Sequence, residues 1–128
     1  MAMPPWIRSL ADLTPPMKDA ADALDLAWSP DLPPVTVAAS TVGRAFGGAL
    51  SDLTSNDIAA VCRAVEMLMT NSDESIRDAI ATGFLEALLA QSSEGMIDFR
   101  KVAWALGRAS REYCLGWDKF TGVETEGL

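Results

Sequence analysis

Between Ala79 and Ala90 the chain reads AIATGFLEALLA, where Glu86 is the only ionisable side chain and Thr82 the only other polar one. A helix here offers water very little, so it reads as a central, mostly buried element around which the rest packs. Extended to Ser72–Gln91 and wound at 3.6 residues per turn, Ile76, Ala79, Ile80, Gly83, Ala87 and Leu88 share one face, with Phe84 at its edge. Asp78, Thr82 and Glu86 form an opposing i, i+4 stripe, and Leu85 and Leu89 flank it, so two partner surfaces are required. Asn71 or Ser72 can cap the start, where Asp73 and Glu74 meet the positive end of the helix dipole.

The neighbours follow from punctuation. All seven prolines lie in residues 1–34, which reads as short helical turns opened by Pro4-Pro5 and Pro15-Pro16. Met17–Trp28 is amphipathic, with Ala20, Leu24 and Ala27 or Trp28 inward, and Asp12, Asp19, Asp22 and Asp25 form an acidic face. The run Val35–Leu53 opens with β-branched alternation but continues at helical spacing through Val42, Ala45 and Phe46, and reads as helix from about Val37. Thr54 and Asp57 form a capping box for a helix over 55–69, with Ile58, Val61, Val65 and Leu68 as its stripe. A tight link at 71–73 makes 55–69 and 72–91 an antiparallel hairpin. Asp98 caps a short helix, Phe99–Leu106, that stops at Gly107, and Ser110 opens a last one ending at Gly122. The tail VETEGL reads as an ordered edge at best. The expected fold is all-α: one domain over 1–128, a compact bundle of about five to six helices built on the central hairpin.

Charge narrows the function classes. The chain carries 18 acidic and 10 basic residues and no histidine, a net −8 over 128 residues. It should repel nucleic acid and anionic membranes, and its partners should be basic proteins. The acidic field belongs to residues 1–95, with 13 acids and 5 bases; residues 96–128 hold 5 of each. Cys62 and Cys114 lack metal spacing and read as reduced, buried thiols; with no long apolar run, a cytoplasmic location is expected.

Without histidine, a serine-type triad is excluded and a zinc shell lacks ligands. Asp78 and Glu86 with Glu66 or Asp57 offer only carboxylates, without the Glu-x-x-His pairs of bundle metal sites, so no metal, cofactor or catalytic role is expected. Gly43, Gly47 and Gly48 fit no phosphate loop and read as close helix packing; Gly83 likewise marks the approach of another helix. Tyr113, Trp117 and Phe120 recur at i, i+4, i+7, which reads first as core against the central helix and second as a partner anchor. For a binding surface, the residues chosen are the acidic edge of the hairpin: Asp57, Glu66, Asp73, Glu74, Asp78 and Glu86.

Taken together, PPVTVAASTVGRAF, AVEMLM, DESIRDAIATGFLEALL and LGRASREYCLGWDKFTGV resemble a family of small, acidic, all-helical bacterial proteins associated with immunity to polymorphic, contact-dependent or secreted effector toxins. The resemblance covers roughly residues 33–128 and rests most on ATGFLEAL at Ala81–Leu88 and WDKFTG at Trp117–Gly122, which define no catalytic residue. It implies a non-catalytic inhibitor that occludes the active site of a cognate, basic toxin. The competing reading is a helical adaptor or scaffold subunit, self-associated or within a larger complex; a weaker third is a carboxylate-based enzyme.

Overall fold

Proline and threonine set the helix starts. The computed structural model describes residues 3–71 and 73–128, so Ser72, one of the expected caps, lies outside the described residues. Pro5 opens α1 (Pro5–Ala11), and Pro15 opens α2 (Pro15–Trp28), where the Thr14 hydroxyl accepts the Met17 amide. Met17 and Ala21 are buried and Leu24 half-buried, whereas Ala27 and Trp28 face outward, against expectation; the buried row is therefore i, i+4, i+7 from Met17. On its polar side Arg8 reaches from α1 to Asp22 at 2.8 Å and Asp25 at 2.9 Å, so part of the acidic face ties α2 to α1.

After Pro34, α3 (Val35–Ala49) is helical from its first β-branched residue. The expected capping box is present at α4 (Ser55–Met69): Asp57 N donates to Thr54 Oγ1 at 3.1 Å and Thr54 N to Asp57 Oδ2 at 3.2 Å. A rod follows in three joined parts, α5 (Glu74–Ala79), a π-helical stretch Ile80–Leu85, and α6 (Glu86–Ser93). With the single turn α7 (Arg100–Ala103) and the long α8 (Arg108–Thr121), and the rod counted once, the described residues form seven helices and no strand. The bundle is all-α as expected, with one helix more than the five to six read from the sequence.

The π stretch departs from the regular helix expected at 72–91. The Thr82 hydroxyl donates to the Asp78 carbonyl at 2.7 Å, taking an acceptor of the i→i−4 ladder, and the Glu86 amide reaches Ala81 five residues back. Ile80, Ala81, Gly83, Phe84 and Leu85 are all buried while Thr82 is exposed, so the π stretch is enclosed on all but one narrow side.

The most extensive helix pairing in the bundle is between α3 and the π stretch, and α3 continues along α6; α4 touches α5 and the π stretch. Small residues make this possible. A Cβ at Gly83 would lie 2.7 Å from Ala39 Cβ, and one at Gly43 would lie 2.9 Å from the Phe84 carbonyl oxygen. Beside this contact Phe46 and Phe84 stack with ring centroids 5.7 Å apart. Gly43, Gly47 and Gly83 thus do what the sequence reading assigns to them; Gly48 does not, since a Cβ there meets nothing. In an ordinary helix interior Gly→Ala stabilises by about 1 kcal/mol. Gly43→Ala should instead destabilise by about 1–2 kcal/mol, because backbone cannot move aside as a side-chain tip can. Urea denaturation measures this; a variant as stable as the parent contradicts the close packing.

Behind the rod, α8 buries Ser110 and Cys114 and lays Tyr113 and Trp117 on the core. The core runs as one cluster from Met3 to Cys114. The tail is bound more firmly than an edge: Thr125 is buried, its amide and hydroxyl donating to Asp118 at 2.7 and 2.6 Å, and Arg111 Nη1 donates to the Gly127 carbonyl at 3.4 Å.

Candidate functional site

The six acidic residues picked from the hairpin differ in their local partners. Asp57 is held in its capping box. Asp73 caps α5, its Oδ1 accepting the Ser75 amide at 2.9 Å and hydroxyl at 2.7 Å; these Ser75 bonds hold its carboxyl below the usual range. Glu74 and Asp78 are exposed on the rod.

Glu66 turns inward to α8. Its Oε2 accepts the Ala109 amide at 2.8 Å, and its Oε1 accepts the Ser110 amide and hydroxyl at 2.9 and 2.8 Å. A carboxylate borrowed from another helix thus caps α8, whose own N-cap is Gly107. Burial pushes the Glu66 carboxyl up, but the Ser110 and Ala109 bonds together outweigh burial and leave it lowered. Gly107 also differs from its expected role. It is not the left-handed stop of the preceding helix (φ −72°) but the position where a Cβ would strike the Glu66 carboxyl at 2.4 Å.

Glu86, at the end of the π stretch, is half-buried and accepts a hydrogen bond from the Tyr113 hydroxyl. Burial, then this bond, raises the Tyr113 phenol above its usual range, so it stays a donor at any physiological pH. Glu86 Oε1 makes no hydrogen bond among the described residues. Glu66 and Glu86 therefore both hold α8 within its first two turns, and this sets which of its faces remains open.

That open face is the candidate site. A shallow groove of about 490 Å³ runs along α8 between a row of Glu112, Gly116 and Phe120 and a row of Tyr113 and Trp117, with Glu86 at its side. Phe120 is 90% exposed, which corrects the core reading for the third member of the aromatic stripe. Past Trp117 the helix runs on to Thr121, and Gly122 (φ 78°) turns the chain back. Glu112 pairs with Arg108 at 3.1 Å, both exposed. The other cations of α8 face away: Arg111 serves the Ala103 carbonyl, and Lys119 lines a different cleft beside the tail. The groove thus joins aromatic surface to carboxylates. The sequence signal that could have found it is the pairing of Glu112 with Gly116 and Phe120 at i, i+4, i+8.

Both cysteines are buried and free. Burial pushes the Cys62 and Cys114 thiols up to about 12, so neither is a thiolate nucleophile at neutral pH. Among the described residues no three of Asp, Glu and Cys converge as metal ligands, and no helix is long and apolar enough to cross a membrane. No family profile, no curated protein and no solved structure matches the chain.

Proposed function

We propose that this chain is a stoichiometric protein inhibitor that binds a basic toxin-like protein and covers its active site, the role implied by its resemblance to immunity proteins. The observation that carries the reading is the α8 groove: an aromatic side chain held out in solvent, flanked by half-buried aromatics and by Glu86 and Glu112. The exposed ring lies beside two half-buried aromatics that line the same groove, and aromatics are the usual anchors of tight interfaces. Net −8 speeds the encounter with a cationic partner, and the carboxylates set its orientation.

The test is co-expression with the protein encoded by the adjacent open reading frame, scoring growth and one-to-one co-purification. Protection by the native chain is expected, with the rate of association falling as salt rises. Glu112→Lys and Asp78→Lys should each slow association about tenfold while the melting temperature moves by no more than about 2 °C. Asp73, although exposed, is unsuitable for this test, because its reversal also removes a helix cap. Growth arrest unrelieved by this chain, or affinity unchanged in both reversals, refutes the reading.

One observation favours the second reading, an adaptor that self-associates. Between α1 and α4 a separate cleft is lined by Trp6, Leu13, Ala64, Met67 and Leu68, with Leu13 42% and Met67 69% exposed and no charged side chain in its lining. A concentration-dependent dimer in light scattering, lost in Met67→Glu, would support that reading.

A further inference from the structure

We propose that the α8 groove is a receptor for a single arginine side chain of the bound protein, and that Gly116 is the residue that makes room for it. The inference rests on the groove being the binding surface of the preceding section and names what enters it.

Gly116 has no internal explanation. It sits in the middle of α8, where glycine is unfavourable relative to alanine. Gly43, Gly47, Gly83 and Gly107 are each required by a neighbour that a Cβ would strike, but a Cβ at Gly116 meets nothing within 4 Å. Its backbone is not left-handed either; that conformation belongs to Gly95, Gly122 and Gly127. Gly48 is open in the same way, but Gly116 alone of the two lines the α8 groove, where the missing side chain leaves room. There it leaves a trough one turn from Glu112 on one side and one turn from Phe120 on the other, with Trp117 beside it.

The trough selects its occupant by chemistry. Three of its lining residues, Tyr113, Trp117 and Phe120, are aromatic, and aromatic rings attract a cation; its acceptors are the carboxylates of Glu86 and Glu112. No cation lines the groove, and Arg108, which pairs with Glu112 from outside it, is exposed, so that pair is weak and readily exchanged. A guanidinium fits this set better than an ammonium. It is planar, stacks on aromatic rings, sheds water more easily and offers donors to two acceptors at once.

The test uses fragments in place of the partner: butylguanidinium, butylammonium and butanol titrated into the ¹⁵N-labelled full chain. Butylguanidinium should move the Gly116, Trp117 and Phe120 amides and the Trp117 indole, saturating with a dissociation constant on the order of 10 mM. Butylammonium should bind about threefold or more weakly, and butanol should leave these signals in place. Gly116→Ala should raise the melting temperature by about 2–4 °C yet weaken butylguanidinium roughly tenfold, opposite signs that a purely structural glycine cannot give. Equal binding by Gly116→Ala, butylammonium matching butylguanidinium, or shifts spread evenly over the acidic surface overturns the proposal. Because the titration needs no partner, it is separable from the inhibitor reading. Saturable binding in a chain that gives no protection sinks that reading alone; protection without saturable binding sinks this one alone.

Discussion

Phe120→Ala is expected to weaken binding of the basic partner by about 30-fold or more, chiefly through faster dissociation, while the melting temperature stays within about 1 °C of the parent. The ring is 90% exposed in the free chain, so truncating it removes almost no folded contact. In the proposed complex the partner covers this ring, and truncating such aromatic anchors costs about 2 kcal/mol or more. Surface plasmon resonance with thermal melts separates the two effects. A large fall in melting temperature would mean that Phe120 is packed in solution; unchanged affinity would remove α8 from the interface.

Glu66→Ala should destabilise the fold by about 2–3 kcal/mol, the largest effect expected from any single polar group in this chain. The loss has several parts that act together. The Ala109 and Ser110 amides lose their acceptor, the Ser110 hydroxyl is left buried without one, and a charge is removed from the positive end of α8. Glu66→Gln should cost less, since one amide oxygen still accepts. The pH dependence follows from the direction of the Glu66 shift. Its folded value lies below the unfolded one, so its stabilisation is complete above the ordinary carboxylate range, about 4.3, and is lost as pH falls through the lowered folded value. Urea midpoints of the native chain and Glu66→Gln should therefore differ most above about pH 5 and converge as pH falls through the lowered folded value. A difference independent of pH would show that the carboxylate charge plays no part. Because Glu66 sets the start of α8, Glu66→Ala should also blunt partner binding, and Phe120→Ala without a stability change is the control that separates these routes.

Much of this was readable from residues alone where a local rule sufficed. The capping box at Thr54 and Asp57, the proline starts of α1 and α2, the polar stripe of Asp78, Thr82 and Glu86, and the close approach at Gly43 and Gly83 each need only a short window. The candidate site was less legible. Of the six carboxylates chosen from spacing, only Glu86 lines the groove; Asp57 and Asp73 cap their own helices, and Glu66 caps a helix 43 residues away. A helical wheel gives the angle at which a carboxylate leaves its helix, but not which amides another helix will bring to meet it. The aromatic stripe failed in the same way: Tyr113, Trp117 and Phe120 share a spacing, yet the third projects past the surface the first two cover.

The sequence by itself determined that this chain is helical, where most helices begin, and that the segment from Ala79 to Ala90 is enclosed, because periodicity, capping and burial of apolar side chains act within a few turns. Only the tertiary structure decided that α3 is the principal partner of that segment, and that Glu66 and Glu86 seat α8 with Phe120 in the open. Those outcomes depend on which surfaces meet across long stretches of chain, and the energy of such a meeting belongs to the pair of surfaces rather than to either segment alone.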